Sequence, residues 1–336
     1  MPLIRTPKIL VFIICTSLFS GCDVSQDPTL PGLPGPAPSK YDWTELNYNT
    51  SLNFSDVFFT DNNIGWIVGD ENTILSTVDG GVTWPQAPNT ILDGNFRGAF
   101  LLSESIGWLV GDMNGSNKDG NIYLSTNGGA YPEIQKSVEY PLNAIFGLDK
   151  DHVWAGGENG QMLYSQDGGI NWMESNTDLE LTIFDIQFLD SDTGFACGST
   201  GIIIKSSDGG INWEDELTIP GIDITALYYK DTETGWACGS NNSIFLYETE
   251  ASASSWTQVT IINEPAGTVW RDIFFVDDHI GWLVGDGGAV YRTEDAGKSW
   301  EKETTGIFDD LNAIYMFGYN AGWIVGEEGL IMTYTP

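Results

Sequence analysis

The sequence predicts an all-β fold, a seven-bladed β-propeller with four-stranded blades, and two kinds of repeat carry this prediction. The first is an apolar-aromatic signature, GWIVG at Gly65–Gly69, which recurs seven times at intervals of 41 to 46 residues. Its aromatic residue is Trp66, Trp108, Trp154, Phe195, Trp236, Trp282 or Trp323. A fixed period of about 40–45 residues is typical of a propeller blade with four strands.

The second repeat is a turn box, such as TVDGGVTW at residues 77–84. Runs rich in β-branched and aromatic residues flank each signature and predict the first and third strands of a blade. The box then predicts the turn into the fourth strand, because its Asp can accept backbone N–H groups and its Gly residues supply a positive φ. We therefore assign a structural turn role to Asp79, Asp167, Asp208 and Asp295.

The two ends of the chain are predicted to share one blade. The sequence contains seven first, second and third strands but six fourth strands, and it ends in the third strand of the last blade. Residues 41–47, YDWTELN, resemble the fourth-strand run INWEDEL. We expect this N-terminal strand to close the last blade, because closure removes exposed sheet edges. Trp43 and eleven other Trp residues fit the repeat, and Trp270 lies outside it.

The first 40 residues predict export and anchoring. Residues 1–21 combine basic residues, a short apolar run and small residues, the pattern of a secretory signal. The stretch LFSGC resembles a bacterial lipobox, which implies lipidation of Cys22, and the alternative is an ordinary signal peptide with an incidental Cys. Residues 22–40 form a Pro-rich tether and residues 41–336 the propeller. We expect an extracytoplasmic, membrane-anchored lipoprotein, in the periplasm or at the cell surface.

Charge excludes nucleic acid as a partner. The chain has 47 acidic and 13 basic residues, a net charge of −34, which repels nucleic acid and anionic lipid. The excess of negative charge either keeps the protein soluble or attracts a cationic partner or divalent ions.

Cys197 and Cys238 occupy the same position in adjacent blades. This favours two buried thiols over a disulfide, because equivalent positions in neighbouring blades are too far apart for a disulfide bond.

The residues argue against an enzyme. A sialidase needs several arginines to clamp a carboxylate, yet the chain beyond the signal contains Arg97, Arg271 and Arg292 alone. The box aspartates belong to turns, and neither a zinc nor a calcium spacing is present. We predict no catalytic residue, no metal and no cofactor. A carbohydrate-binding or glycosidase-like surface protein remains the alternative.

The innermost strands predict where a partner binds. Their opening positions should surround the mouth of the central channel: Ser55, Arg97, Asn143, Phe184, Thr225, Arg271 and Asn312. From this ring we select Arg97, Asn143, Arg271 and Asn312, together with the off-pattern Trp270, as partner-binding candidates. The alternative is that they are solvated channel residues. The loop at residues 111–120 is long enough to reach over the mouth.

The repeat unit is similar to that of the photosystem II stability/assembly factor family, and GWLVGDGGAVYRTEDAGKSW at residues 281–300 carries the resemblance best. The resemblance implies a seven-bladed propeller without enzymatic activity. In oxygenic organisms it implies a chaperone-like factor that binds a photosystem II reaction-centre precursor. We expect a monomer whose partner is a protein segment or a membrane-complex subunit. Photosynthetic members use an arginine-rich patch, which Arg97 and Arg271 match here on an acidic body.

Overall fold

Seven antiparallel sheets form a closed ring in the computed structural model. The structure describes residues 42–46, 48–88, 94–112, 119–177, 179–250, 253–261 and 264–335. The innermost strand of each sheet contacts that of the next, and the last contacts the first. The predicted seven-bladed propeller is therefore confirmed.

The first strand belongs to the last blade, and blades 1 to 3 follow it in chain order. Their strands are β1 (Asp42–Leu46); β2 (Phe54–Phe59), β3 (Gly65–Gly69) and β4 (Thr73–Thr77); β5 (Asn95–Leu101), β6 (Gly107–Asp112), β7 (Gly120–Ser125) and β8 (Glu133–Val138); β9 (Leu142–Gly147), β10 (Val153–Gly157), β11 (Met162–Ser165) and β12 (Met173–Glu174). In blade 1, a bridge between Leu75 and Gln86 extends the sheet beyond β4, and residues 89–93 lie outside the described part of the chain.

Blades 4 to 7 complete the ring. Their strands are β13 (Ile183–Phe188), β14 (Gly194–Gly198), β15 (Ile202–Ser206) and β16 (Glu214–Thr218); β17 (Ile224–Tyr229), β18 (Thr234–Gly239), β19 (Ser243–Glu250) and β20 (Ala253–Val259); β21 (Trp270–Phe275), β22 (Gly281–Gly285), β23 (Ala289–Thr293) and β24 (Glu301–Glu303); β25 (Leu311–Met316), β26 (Gly322–Gly326) and β27 (Ile331–Thr335). Short 3-10 turns join several second strands to third strands, at Asp70–Asn72, Glu158–Gly160, Ser199–Gly201, Asp286–Gly288 and Glu327–Gly329.

Strand β1 closes blade 7, as predicted. It pairs antiparallel with β27, with Trp43 opposite Tyr334 and their ring centroids 4.9 Å apart. The indole Nε1 of Trp43 also donates a 2.6 Å hydrogen bond to Glu303 in blade 6. Both chain ends are thereby held within one sheet, so β27 does not present an open edge.

The turn boxes are built as the sequence predicts for tight turns. In the first box, the N–H and the hydroxyl of Thr83 donate to the two carboxylate oxygens of Asp79, at 3.0 and 2.6 Å. These bonds, the hydroxyl bond first, lower the pKa of Asp79 to about 2. Gly80 and Gly81 have φ values of +74° and +81°, which glycine adopts without a Cβ clash. The equivalent carboxylates Asp167, Asp208 and Asp295 bond Asn171, Asn212 and Ser299 in the same way.

Each box also joins two blades. The indole Nε1 of Trp154 in blade 3 donates a buried 2.7 Å bond to the carbonyl of Gly209 in the box of blade 4, and its ring stacks on Phe188 at 3.6 Å. An indole Nε1 donates to a box carbonyl in the same way between three other pairs of blades: Trp108 to Gly168, Trp236 to Ala296 and Trp323 to Gly80. The signature Trp of one blade therefore packs on the box of the next, which explains why both motifs share one period.

The core also accommodates the two cysteines. Cys197 and Cys238 are both buried and are not joined by a disulfide, in agreement with the preference for separate thiols. They lie on the second strands of blades 4 and 5, β14 and β18, where other blades have small apolar residues.

Candidate functional site

The seven innermost strands surround a central cavity of about 140 Å³. All seven residues predicted for the channel mouth line it: Ser55, Arg97, Asn143, Phe184, Thr225, Arg271 and Asn312. Further along these strands, buried aromatic rings contact one another around the axis. The ring centroid of Phe58 lies 5.1 Å from those of Phe100 and Tyr315. The cavity therefore has a polar mouth and an aromatic floor.

Three aspartates in the cavity wall link neighbouring blades. Asp56 accepts N–H bonds from Val57 in its own strand, at 2.8 Å, and from Ala99 in the next blade, at 2.9 Å. Asp185 and Asp272 make the same two kinds of bond at the equivalent position in blades 4 and 6. These carboxylates satisfy backbone donors, so their contacts are structural. Sequence reasoning missed them, although their shared place in the repeat is a signal.

Arg97 lies at the mouth and is held by three side chains. Its guanidinium donates to Asp112 at 2.6 Å, to Asn143 at 2.6 Å and to Glu158 at 3.4 Å. About a third of its side chain remains exposed (33%). The bonds fix the direction of the guanidinium, and part of the Arg97 side chain stays accessible to solvent.

Arg271 has an equivalent environment in blade 6, four blades further along the chain. It donates to Asp310 at 2.6 Å, to Asp286 at 3.0 Å and to Asn312 at 3.1 Å. Its side chain is 32% exposed. Charge-assisted bonds of this length are among the stronger hydrogen bonds in proteins, so both arginines are well positioned.

The two asparagines continue these contacts into a third blade. Asn143 accepts from Arg97 and donates to the carbonyl of Ile183 at 2.9 Å. Asn312 accepts from Arg271 and donates to the carbonyl of Phe54 at 2.8 Å. Each Arg–Asn pair thus connects three consecutive blades, so these four residues stabilise the ring as well as lining the mouth.

Trp270 does not belong to the mouth surface, and its predicted partner-binding role is corrected by its burial. The side chain is fully buried, its Nε1 donates to Asn242 at 3.0 Å, and its ring packs edge-on against Tyr291. The position before the mouth residue is a buried apolar residue in every blade: Phe54, Phe96, Leu142, Ile183, Ile224, Trp270 and Leu311. The repeat itself therefore assigned this Trp to the core.

The mouth face is strongly acidic. The connections between second and third strands, including the end of β6, contribute Asp70, Glu71, Asp112, Glu158, Asp286, Glu327 and Glu328. Sequence reasoning missed the loop that enters blade 7, where Phe308 is 86% exposed next to Asp309 and Asp310. The signal was an apolar pair, Ile307 and Phe308, directly before two acidic residues in a predicted loop.

Several predictions fall outside the described residues. These are the signal at residues 1–21, the tether at residues 22–40 with Cys22, and the centre of the long loop, residues 113–118. Within the described ranges, no three His, Cys, Asp or Glu side chains come together as a metal site requires. No helix among those residues is long and apolar enough to cross a membrane.

Comparison with known proteins identifies the family. The family model described as "Photosynthesis system II assembly factor YCF48" matches residues 36–120 and 220–335. The chain belongs to the YCF48 family. The matched residues include the closing strand, the strands of blade 1, the first two strands of blade 2 and blades 5 to 7, so the resemblance seen in the repeat is confirmed.

Relatives in the YCF48 family carry assembly-factor names. The chain is 24% identical to "Photosystem II assembly lipoprotein Ycf48" of Synechococcus sp. (strain CC9902), over 96% of this chain and 95% of that protein. It is 31% identical over 67 residues to the chloroplastic "Photosystem II stability/assembly factor HCF136" of Cyanidioschyzon merolae, or 19% of this chain and 15% of that protein. A match to Ycf48 of Synechococcus sp. (strain JA-3-3Ab) likewise spans 27% of the relative's length.

Solved structures share the YCF48 fold. "YCF48 bound to D1 peptide" superposes with a TM-score of 0.73 at 19% identity, over 90% of this chain and 99% of that one. "YCF48 from Cyanidioschyzon merolae" superposes with a TM-score of 0.70 at 19% identity, over 88% of this chain and 99% of that one. An ancestral GH74 enzyme gives 0.65 at 16% identity, over 88% of this chain and 46% of that one. At these identities the likeness concerns the fold.

Proposed function

We propose that this chain is a non-catalytic assembly factor that holds a segment of a membrane-complex subunit at the channel mouth. Membership of the YCF48 family supports this role, and a relative in that family has been solved with a D1 peptide. By analogy, the segment belongs to a photosystem II reaction-centre subunit.

The geometry of Arg97 and Arg271 carries the proposal. Each guanidinium is held by two carboxylates and one asparagine, yet about a third of each side chain is exposed at the mouth. A surface whose side chains are already fixed loses little conformational freedom when a partner binds. The cavity-wall carboxylates are engaged with backbone N–H groups, which supports binding over acid–base chemistry.

The pairing of β1 indicates from which face of the propeller the proposed lipid anchor would extend. Strand β1 runs from Asp42, opposite Thr335, to Leu46, opposite Ile331. Ile331 follows the mouth-side turn Glu327–Gly329, so Asp42 is at the opposite face, where the box turns lie. A tether attached to a lipid on Cys22 would therefore leave from the face opposite the mouth. We propose a monomer held at an extracytoplasmic membrane surface with its mouth directed away from that membrane.

Peptide binding tests the proposal. Peptides that tile photosystem II reaction-centre subunits are titrated into the full chain, and binding is followed by fluorescence anisotropy. We expect at least one peptide to bind and to lose affinity about tenfold or more in Arg97→Gln and Arg271→Gln, as for interface arginines. Lys298→Gln is the matched control, because Lys298 is 60% exposed on the box face.

The arginines also join blades, so a second variant separates binding from folding. Phe184 lines the mouth, and Phe184→Ala removes surface there without removing a charge. Loss of affinity in both kinds of variant, with unchanged circular dichroism, supports the mouth as the site. If no peptide binds, or if all variants bind equally, the proposed function is wrong.

A further inference from the structure

The loop that enters blade 7 places an unusual side chain beside the mouth. Phe308 is 86% exposed, the highest value for a large apolar side chain among the described residues. The loop packs closely on blade 6, because a Cβ at Gly288 would collide with the carbonyl of Ile307 and the hydroxyl of Thr305 donates to the carbonyl of Gly288 at 3.3 Å. Phe308 is also two residues from Asp310, which pairs with Arg271. It therefore extends into solvent from an ordered position at the rim.

Three acidic residues around Phe308, unlike Asp310, make no ion pair among the residues that the structure describes: Asp309, Glu327 and Glu328. Asp309 is exposed directly beside Phe308. Glu327 lies across the same corner, because its N–H donates to the carbonyl of Asp310 at 3.0 Å. Glu328 follows with an exposed side chain, and its backbone is fixed by Asn53. Phe308, Asp309, Glu327 and Glu328 form what we call the blade 7 corner.

The two arginines do not neutralise this face. Arg97 already contacts Asp112 and Glu158, and Arg271 already contacts Asp286 and Asp310. The blade 7 corner therefore adds carboxylates to a mouth whose cations are matched by the acids around them. Such a surface attracts cationic partners and steers their approach.

We propose that the segment held at the mouth presents an apolar side chain that packs on Phe308 and a neighbouring Lys or Arg that pairs with Asp309 and Glu327. Exposed aromatic residues are frequent anchors of protein interfaces, and carboxylates on two hydrogen-bonded loops can pair with a cation one or two residues away from the apolar side chain. This inference rests on the proposed function, because it gives the chemistry of the segment that the same mouth holds.

A set of four synthetic peptides of equal length tests the proposal. One contains adjacent apolar and basic residues, one replaces the basic residues by Glu, one replaces the apolar residues by Ser, and one is a charge-matched scramble. Their affinities for the full chain are measured by fluorescence anisotropy. We expect the basic–apolar peptide to bind about tenfold or more tightly than the other three, and its affinity to fall with added salt.

Variants locate the contact. Phe308→Ser and the double variant Asp309→Asn/Glu327→Gln should each weaken the basic–apolar peptide about tenfold. Ile170→Ser, 78% exposed on the box face, is the matched apolar control. Asp192→Asn/Glu233→Gln is the matched charge control, since both residues are exposed on that opposite face. The controls should bind like the native chain.

The outcomes distinguish this inference from the function on which it rests. If the acidic peptide binds best and Arg97→Gln weakens it, the mouth is a binding site but the proposed segment chemistry is wrong. If no variant at the mouth changes the binding of any peptide, both fail. If Phe308→Ser instead reduces sedimentation with phosphatidylcholine–phosphatidylglycerol vesicles, Phe308 is a membrane contact and the inference is overturned.

Discussion

A pair of Trp→Phe variants tests the link between the signature and the turn box. Trp154 and Trp282 occupy the same repeat position and are each 1% exposed. Trp154 donates a 2.7 Å bond to the box of blade 4. The Nε1 of Trp282 is buried without a hydrogen-bond partner among the described residues. The structure therefore contains one site where Phe removes a hydrogen bond and one where it removes none.

The difference between the variants isolates that bond. Both lose similar ring volume, so the cavity cost of a few kcal/mol is largely shared. Trp154→Phe also leaves the carbonyl of Gly209 without its indole donor. Losing one partner of a buried hydrogen bond costs about 1–3 kcal/mol. We expect Trp154→Phe to reduce the free energy of unfolding by about 1–3 kcal/mol more than Trp282→Phe.

Urea denaturation measures both variants, with circular dichroism and Trp fluorescence recorded together to verify a single transition. The free energy of unfolding should fall with urea concentration at the same slope in both variants, so that their midpoints can be compared as measures of stability. Arg292 lies 5.4 Å from the Trp282 ring and adds a small cation–π contribution, which works against the expected difference. Equal destabilisation, or a larger loss in Trp282→Phe, would refute the argument that boxes receive the signature Trp.

Three further predictions concern other elements. The pKa of Asp79 is lowered to about 2, so its carboxylate stabilises the fold above about pH 4, and this contribution is lost as the pH falls to about 2. The urea midpoint of Asp79→Asn should therefore fall less than that of the native chain between about pH 4 and about pH 2. Phe195→Trp should destabilise the protein by about 1–3 kcal/mol in urea, because the ring stacks on Tyr229 and blade 5 lacks a box to accept an indole N–H. Cys22→Ser should move the protein from the membrane to the soluble fraction of fractionated cells, and continued membrane retention would contradict the lipid anchor.

The repeat predicted most of the fold because it is a property of residue spacing. Seven signatures predicted the number of blades, and the resemblance of residues 41–47 to fourth strands predicted that the N-terminal strand closes the last blade. Spacing also placed the seven mouth residues, since each opens an innermost strand. These predictions depend on position within a unit, which one sequence is enough to show.

The contacts at the mouth could not be predicted in the same way. The pairing of Arg271 with Asp310 joins residues 39 positions apart, and it depends on how closely two blades approach. The exposure of Phe308 depends on the path of a loop that has no repeat to define it. Trp270 differs in residue type from the other blades, but it shares the register of Phe54, and this register places its side chain in the core.

A photo-crosslinking phenylalanine analogue at position 184 tests the central claim most directly. Phe184 lines the mouth, and Ile170 on the opposite face, 78% exposed, is the control position. The full chain carrying the analogue at either position is irradiated with peptides that tile photosystem II reaction-centre subunits, and adducts are located by mass spectrometry. We predict adducts from position 184 with a defined segment and none from position 170. Adducts from position 170 alone, or from neither position, would contradict a partner site at the channel mouth.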